Sequence, residues 1–165
     1  MRFIVHEQAY EKPIASGQLR YERDGRATGA VETWRLTQAT AGYEVLRVDL
    51  DAREAESGQS TLYHCVRQEN GRPERLSYRF WNSELNVQGT LLFAENSITG
   101  TRTVNGRTYP EDVDLPPDYG FWFPSTMGLG LLARFGGGTA VTLELVNGNR
   151  LSVFGLQVIE VDVVS

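Results

Sequence analysis

The sequence predicts a mainly β fold: a single antiparallel meander curled into a half-barrel or barrel, with one short helix, about 126–135, covering it. Three observations carry that expectation. Runs that alternate apolar and polar residues recur along the chain, the period of a half-buried strand. Asp24-Gly25, Asn70-Gly71, Asn105-Gly106 and Asn147-Gly148 punctuate those runs with pairs that tolerate the positive φ of a tight hairpin. A single proline-bracketed, aromatic segment, Pro110 to Gly138, breaks the pattern. With no helices of about 10 to 15 residues between strands, a parallel sheet is not expected.

In order, Phe3 to Tyr10 and Gln18 to Arg23 read as the first two strands, joined through Lys12-Pro13 and Gly17. Thr28 to Gln38 follows the Asp24-Gly25 turn. Tyr43 to Asp51 sets Leu46, Val48 and Leu50 against Arg47, Asp49 and Asp51, a one-sided strand, and Ala52 to Gly58 is a charged connection. Ser60 to Gln68 and Glu74 to Asn82 form a hairpin over Asn70-Gly71. Leu85 to Phe93 carries Gly89, expected as a bulge or bend. Ile98 to Val104 ends at Asn105-Gly106. After the central segment, Thr139 to Val146 and Arg150 to Val164 make a last hairpin; the final strand is apolar on both sides and should be covered on both.

The central segment opens with Glu111, Asp112, Asp114 and Asp118, passes Pro116-Pro117 and presents Phe121, Trp122 and Phe123 in a row. Proline removes a donor and fixes φ, so its first half cannot be an interior strand. Met127, Leu131, Leu132 and Phe135 follow helical spacing, with Ser125 or Thr126 as cap and Gly136 as stop. Gly128 and Gly130 each cost that helix about 1 kcal/mol against alanine. It must therefore be held by what it packs on. About ten strands in one sheet have to close into a barrel, split into a sandwich or have the concave face filled. The lone helix and its aromatic approach favour the filled half-barrel.

The 165 residues, with no internal shift of composition, indicate one domain, 1–165. A net charge of -5, with bases scattered, argues against nucleic acid as a partner. Cys65 is the only cysteine and reads as a core side chain; with two histidines it cannot build a zinc cluster. His6 and His64 stand beside no nucleophile motif, so no catalytic residue is assigned and the expected protein is not an enzyme. The acids of the central segment match no calcium loop and read as a solvated loop, with no metal expected. Asp49 and Asp51 read as surface partners of Arg47 and Arg53. Gly128, Gly130 and Ala133 imitate a dinucleotide fingerprint without its βαβ setting, and no cofactor is expected. The N-terminus lacks a signal-peptide core and the longest uncharged run, Tyr119 to Ala133, is too short to span a bilayer. The cytoplasm is the expected compartment, with the periplasm the alternative for a chain whose export signal has been removed.

What remains is apolar surface. Phe121, Trp122 and Phe123 either plug the concavity of the sheet or line a cavity for a greasy ligand, with Tyr21, Trp34, Tyr78, Phe80, Trp81, Met127 and Leu131 as neighbours. A layout of the Leu19 to Ala30 strand pair, a long meander, Leu115-Pro116-Pro117, Phe123-Pro124-Ser125-Thr126 and Leu131-Leu132 before a closing hairpin resembles the bacterial lipoprotein-carrier and glycolipid-binding half-barrels. That resemblance implies an open half-barrel binding acyl chains on its concave face under a helical lid. The expected function is binding of a lipid or other hydrophobic small molecule, covered by residues 116 to 136. The alternative is a structural or interaction domain, with a homodimer formed through the same aromatic segment.

Overall fold

Eight strands follow one another in space as they do in sequence. In this computed structural model, which describes residues 7–133, 135–147 and 152–162, they are β1 (Lys12–Arg23), β2 (Arg26–Gln38), β3 (Tyr43–Ala52), β4 (Gln59–Gln68), β5 (Pro73–Trp81), β6 (Asn86–Phe93), β7 (Ser97–Val104) and β8 (Arg107–Asp114). All neighbours are antiparallel, in the order β1 to β8, and among the described residues the sheet stays open with β1 and β8 at its edges. The turns at Asp24-Gly25 and Asn105-Gly106 take positive φ at both central residues, as a primed hairpin turn requires.

A second, three-stranded sheet has the order β11-β10-β9, from β9 (Gly120–Trp122), β10 (Gly138–Asn147) and β11 (Ser152–Val161). β9 lies parallel to β10, a pairing that the meander pattern does not anticipate. It becomes available because α1 (Thr126–Leu129) and a 3-10 turn (Gly130–Leu132) carry the chain back between the two strands. The helix is shorter than 126–135, consistent with the weak propensity of Gly128 and Gly130. Ser125 caps it as expected, its Oγ accepting from the Gly128 amide at 2.8 Å.

One core joins the two sheets. Leu46, Val48, Tyr63, Cys65, Leu76, Tyr78, Phe80, Val87, Leu91 and Ile98 of the meander pack with Leu115, Phe121, Phe123, Val141 and Leu143. The period-two alternation delivers this directly, since core residues sit opposite one another across the strands.

Several expectations are corrected. Gln8 to Glu11 form a turn, not the end of a strand, and the proposed strand from Phe3 otherwise lies outside the described residues. Lys12-Pro13 begins one long β1 and joins nothing; Pro13 is tolerated because β1 is an edge. Pro110 likewise sits in the other edge strand, so Glu111, Asp112 and Asp114 belong to β8 and not to a loop, while Asp118 lies in the connection beyond it. Gly89 makes no bulge. Its register is regular, and a Cβ there would meet the Tyr78 ring at 2.4 Å, so the glycine makes room for that ring. β3 is buried on both faces from Val45 to Asp49, and on the second face Glu11 accepts from Arg47. In the last strand, Leu156 packs on the core, but Val158 at the sheet edge is 50% exposed, so its second side is only partly covered. The turn at Asn147-Gly148 extends outside the described residues.

Candidate functional site

The central segment is pinned at three points. At its start the Tyr119 hydroxyl donates to the carbonyl of Ala94 at 2.8 Å, in the turn between β6 and β7. In the middle, Phe121 and Phe123 point to the same side of β9 and enter the core. Phe123 stacks on Tyr63 with centroids 4.1 Å apart, and Phe121 meets Phe93 edge-on at 4.7 Å. At its end, the Glu32 carboxylate, fully buried on β2, accepts from the Thr126 amide at 2.9 Å and the Met127 amide at 2.9 Å, one on each oxygen. Tyr21 on β1 completes this latch, donating to Glu32 and lying 2.8 Å from the Thr126 hydroxyl. Burial, followed by the bond to Glu32, pushes the Tyr21 phenol above its usual pKa.

The latch answers a local need. The first amides of a helix have no partner within it, and here a buried carboxylate supplies acceptors at the end that favours negative charge. Gly128 is required by the same packing: a Cβ would lie 2.1 Å from the Phe123 carbonyl oxygen. The residue that weakens the helix is thus the one that lets it sit against the aromatic strand.

Beside the latch a crevice of about 810 Å³ opens between the meander and the central segment. Leu50, Ala27 and Ala30 line it from the sheet, and Trp122, Pro124 and Leu129 from the cover. Arg23 and Arg26, in the hairpin of β1 and β2, stand at its rim with Glu22 and Glu56.

The ten expected binding residues therefore separate. Tyr21 and Trp122 line the crevice. Tyr78, Phe80, Phe121 and Phe123 are interior core side chains, while Trp34, Met127 and Leu131 are half-buried against that core. Trp81 does not join them: its register places it on the opposite face of the meander, where Arg79 lies 5.2 Å from its ring. Leu50, Pro124, Leu129, Arg23, Arg26 and Glu32 were missed as site residues. Leu50 was legible, since it shares a strand face with Leu46 and Val48. Glu32 was not, because an acid on the apolar side of a strand carries no mark of the amides it will meet.

The remaining candidates also find places. Cys65 is fully buried on the core face, and burial pushes its thiol up to about 12. His64, its neighbour, faces the other way, and burial together with Arg47 lowers its imidazole to about 4. Asp51 pairs with Arg53 as expected, at 2.7 Å, and Glu11 accepts from Arg47 in a two-pronged pair at 3.0 Å on each side. Glu111 bonds Arg102 at 2.9 Å on the core side of β8, and burial raises its pKa. Among the described residues no group of three His, Cys, Asp or Glu is placed to hold a metal ion, and no helix is long and apolar enough to cross a membrane. Comparison with protein-family models, with curated proteins and with solved structures finds nothing that matches this chain.

Proposed function

We propose that the protein is a non-enzymatic binding module for a lipid or other amphipathic small molecule, held between the meander and the central segment. The observation that carries this reading is the crevice: its volume of about 810 Å³ falls in the usual range for ligand sites, and its lining joins apolar side chains such as Leu50, Trp122, Pro124 and Leu129 to polar and charged ones such as Arg23, Arg26 and Glu56. The ligand enters beside Phe121 and Phe123 and not in their place, because those rings already fill the apolar face. Its tail lies over Leu50 and Leu129, and Arg23 or Arg26 meets an acidic head group at the rim.

Displacement of a fluorescent fatty acid by decanoate and palmitate tests this. Saturable displacement is expected, weakened at least tenfold by Trp122→Ala and by Leu129→Asp; Leu129 is 50% exposed, so the second change leaves the fold intact. No displacement, or displacement indifferent to both changes, overturns the proposal.

A second reading, an interaction domain, is supported by β1. Among the described residues this edge strand of twelve residues has no neighbour on its outer side, and it is exposed along nearly all its length, an edge that can accept another strand. A mass by light scattering that doubles with concentration, in a protein that displaces no fatty acid, would favour it.

A further inference from the structure

The second face of the meander, away from the core, carries a groove of about 360 Å³ running across β3 to β7. Its construction follows from register. Arg47, His64, Ser77 and Thr90 are cross-strand neighbours and form one wall. Asp49, Leu62, Arg79 and Gln88 form the other, two residues along each strand. The residues between the walls, among them Tyr63 and Tyr78, turn into the core, so the floor is backbone.

Nε of Arg79 and Nε2 of His64 are among the polar side-chain atoms lining this groove that are buried without a hydrogen-bond partner. A buried donor left unmatched costs about 1 to 3 kcal/mol, and arginine cannot relieve this by losing its proton. The two terminal nitrogens of Arg47 are already held by the Glu11 carboxylate. Asp49 stands two strands from Arg79, about 10 Å away, with Leu62 between them. The positive end of the groove is therefore Arg79, flanked by the hydroxyls of Ser77 and Thr90 and by the His64 ring, which is neutral at pH 7.

We propose that this groove binds a small carboxylate-bearing molecule. The carboxylate accepts from the Arg79 guanidinium, whose planar fork matches its two oxygens, and from Ser77 or Thr90. The rest of the molecule lies along Leu62. At the share of about 30 Å³ that a water takes in the liquid, the groove holds a ligand of about ten non-hydrogen atoms. The site is on the opposite face from the crevice and stands independently of the reading given for it.

Benzoate, with inorganic phosphate as comparator at constant ionic strength, is the probe. Titration into isotope-labelled protein should give saturating shifts at the amides of Ser77 to Arg79 and at the His64 ring. The His64 titration should move to higher pH when benzoate is bound, because a nearby anion favours imidazolium. Arg79→Gln should weaken binding at least tenfold, with Arg79→Lys intermediate. Thr90→Val, away from the Arg79 and Trp81 contact, should weaken it several-fold and serves if Arg79→Gln fails to fold. Trp122→Ala should change nothing. Shifts that do not saturate, that phosphate reproduces equally, or that persist unchanged in folded Arg79 and Thr90 variants overturn the proposal.

Discussion

The two faces of the meander share every backbone bond and differ in what was done with their polar groups. Toward β9, the cross-strand row of Val48, Tyr63, Tyr78 and Gly89 is closed over by Phe123, and even its acid, Glu32, is fully engaged by amides of the cover. One residue along, on the other side, the row of Asp49, Leu62, Arg79 and Gln88 borders open space and retains an unmatched guanidinium nitrogen. Burial is thus not what separates the faces, since Arg47 and Asp49 are as buried as the core. They differ in completion: the apolar face is finished by this chain's own aromatics, and the polar face leaves room for something else.

The largest expected effect breaks the finished face. Phe123→Ala removes a ring with no solvent exposure and should cost about 3 to 5 kcal/mol by denaturant unfolding. Leu62→Ala, on the half-buried groove wall, should cost clearly less. Equal losses would mean that the two faces are packed alike.

Glu32→Gln tests the latch at a smaller scale. The amide can accept at one oxygen only, leaving either the Thr126 or the Met127 amide unmatched, for a loss of about 1 to 3 kcal/mol. Faster hydrogen exchange should be confined to residues near 126–132. Unchanged exchange there would show that Phe121 and Phe123 alone hold the cover.

The smallest effect sharpens the polar face. Burial and Arg47 depress His64 from 6.5 to about 4, with Glu11 opposing and Arg75 adding to the fall. The unfolded chain then binds the proton more readily between those values, so stability is lost as pH falls from 6.5 toward 4 and is retained above. His64→Gln should flatten that part of the stability profile. An unchanged slope would place the sensitivity in other groups.

Much of the fold was legible because period-two patterning and turn chemistry are local. Leu46, Val48 and Leu50 were assigned to one face by alternation alone, and Asn105-Gly106 to a turn by its tolerance of positive φ. The site was less legible. Aromatic residues of the central segment read alike in the chain, yet Phe121 and Phe123 enter the core while Trp122, between them, turns to the crevice. Trp81 was grouped with Phe80, although adjacent strand residues point to opposite faces. Arg79 and His64 drew no attention as a pair because they are neighbours only through the pairing of β4 with β5.

By itself the sequence determined the antiparallel meander, its turns, the capped short helix and the apolar side of most strands, since each depends on residues within a few positions of one another. Tertiary structure alone decided that β9 pairs in parallel with β10, that Glu32 latches the cover, that Glu11 claims Arg47 and that open space lies on the polar face. Those outcomes join residues far apart in the chain, and the free energy of a buried carboxylate or guanidinium is set by the partner that burial brings to it, which no local pattern encodes.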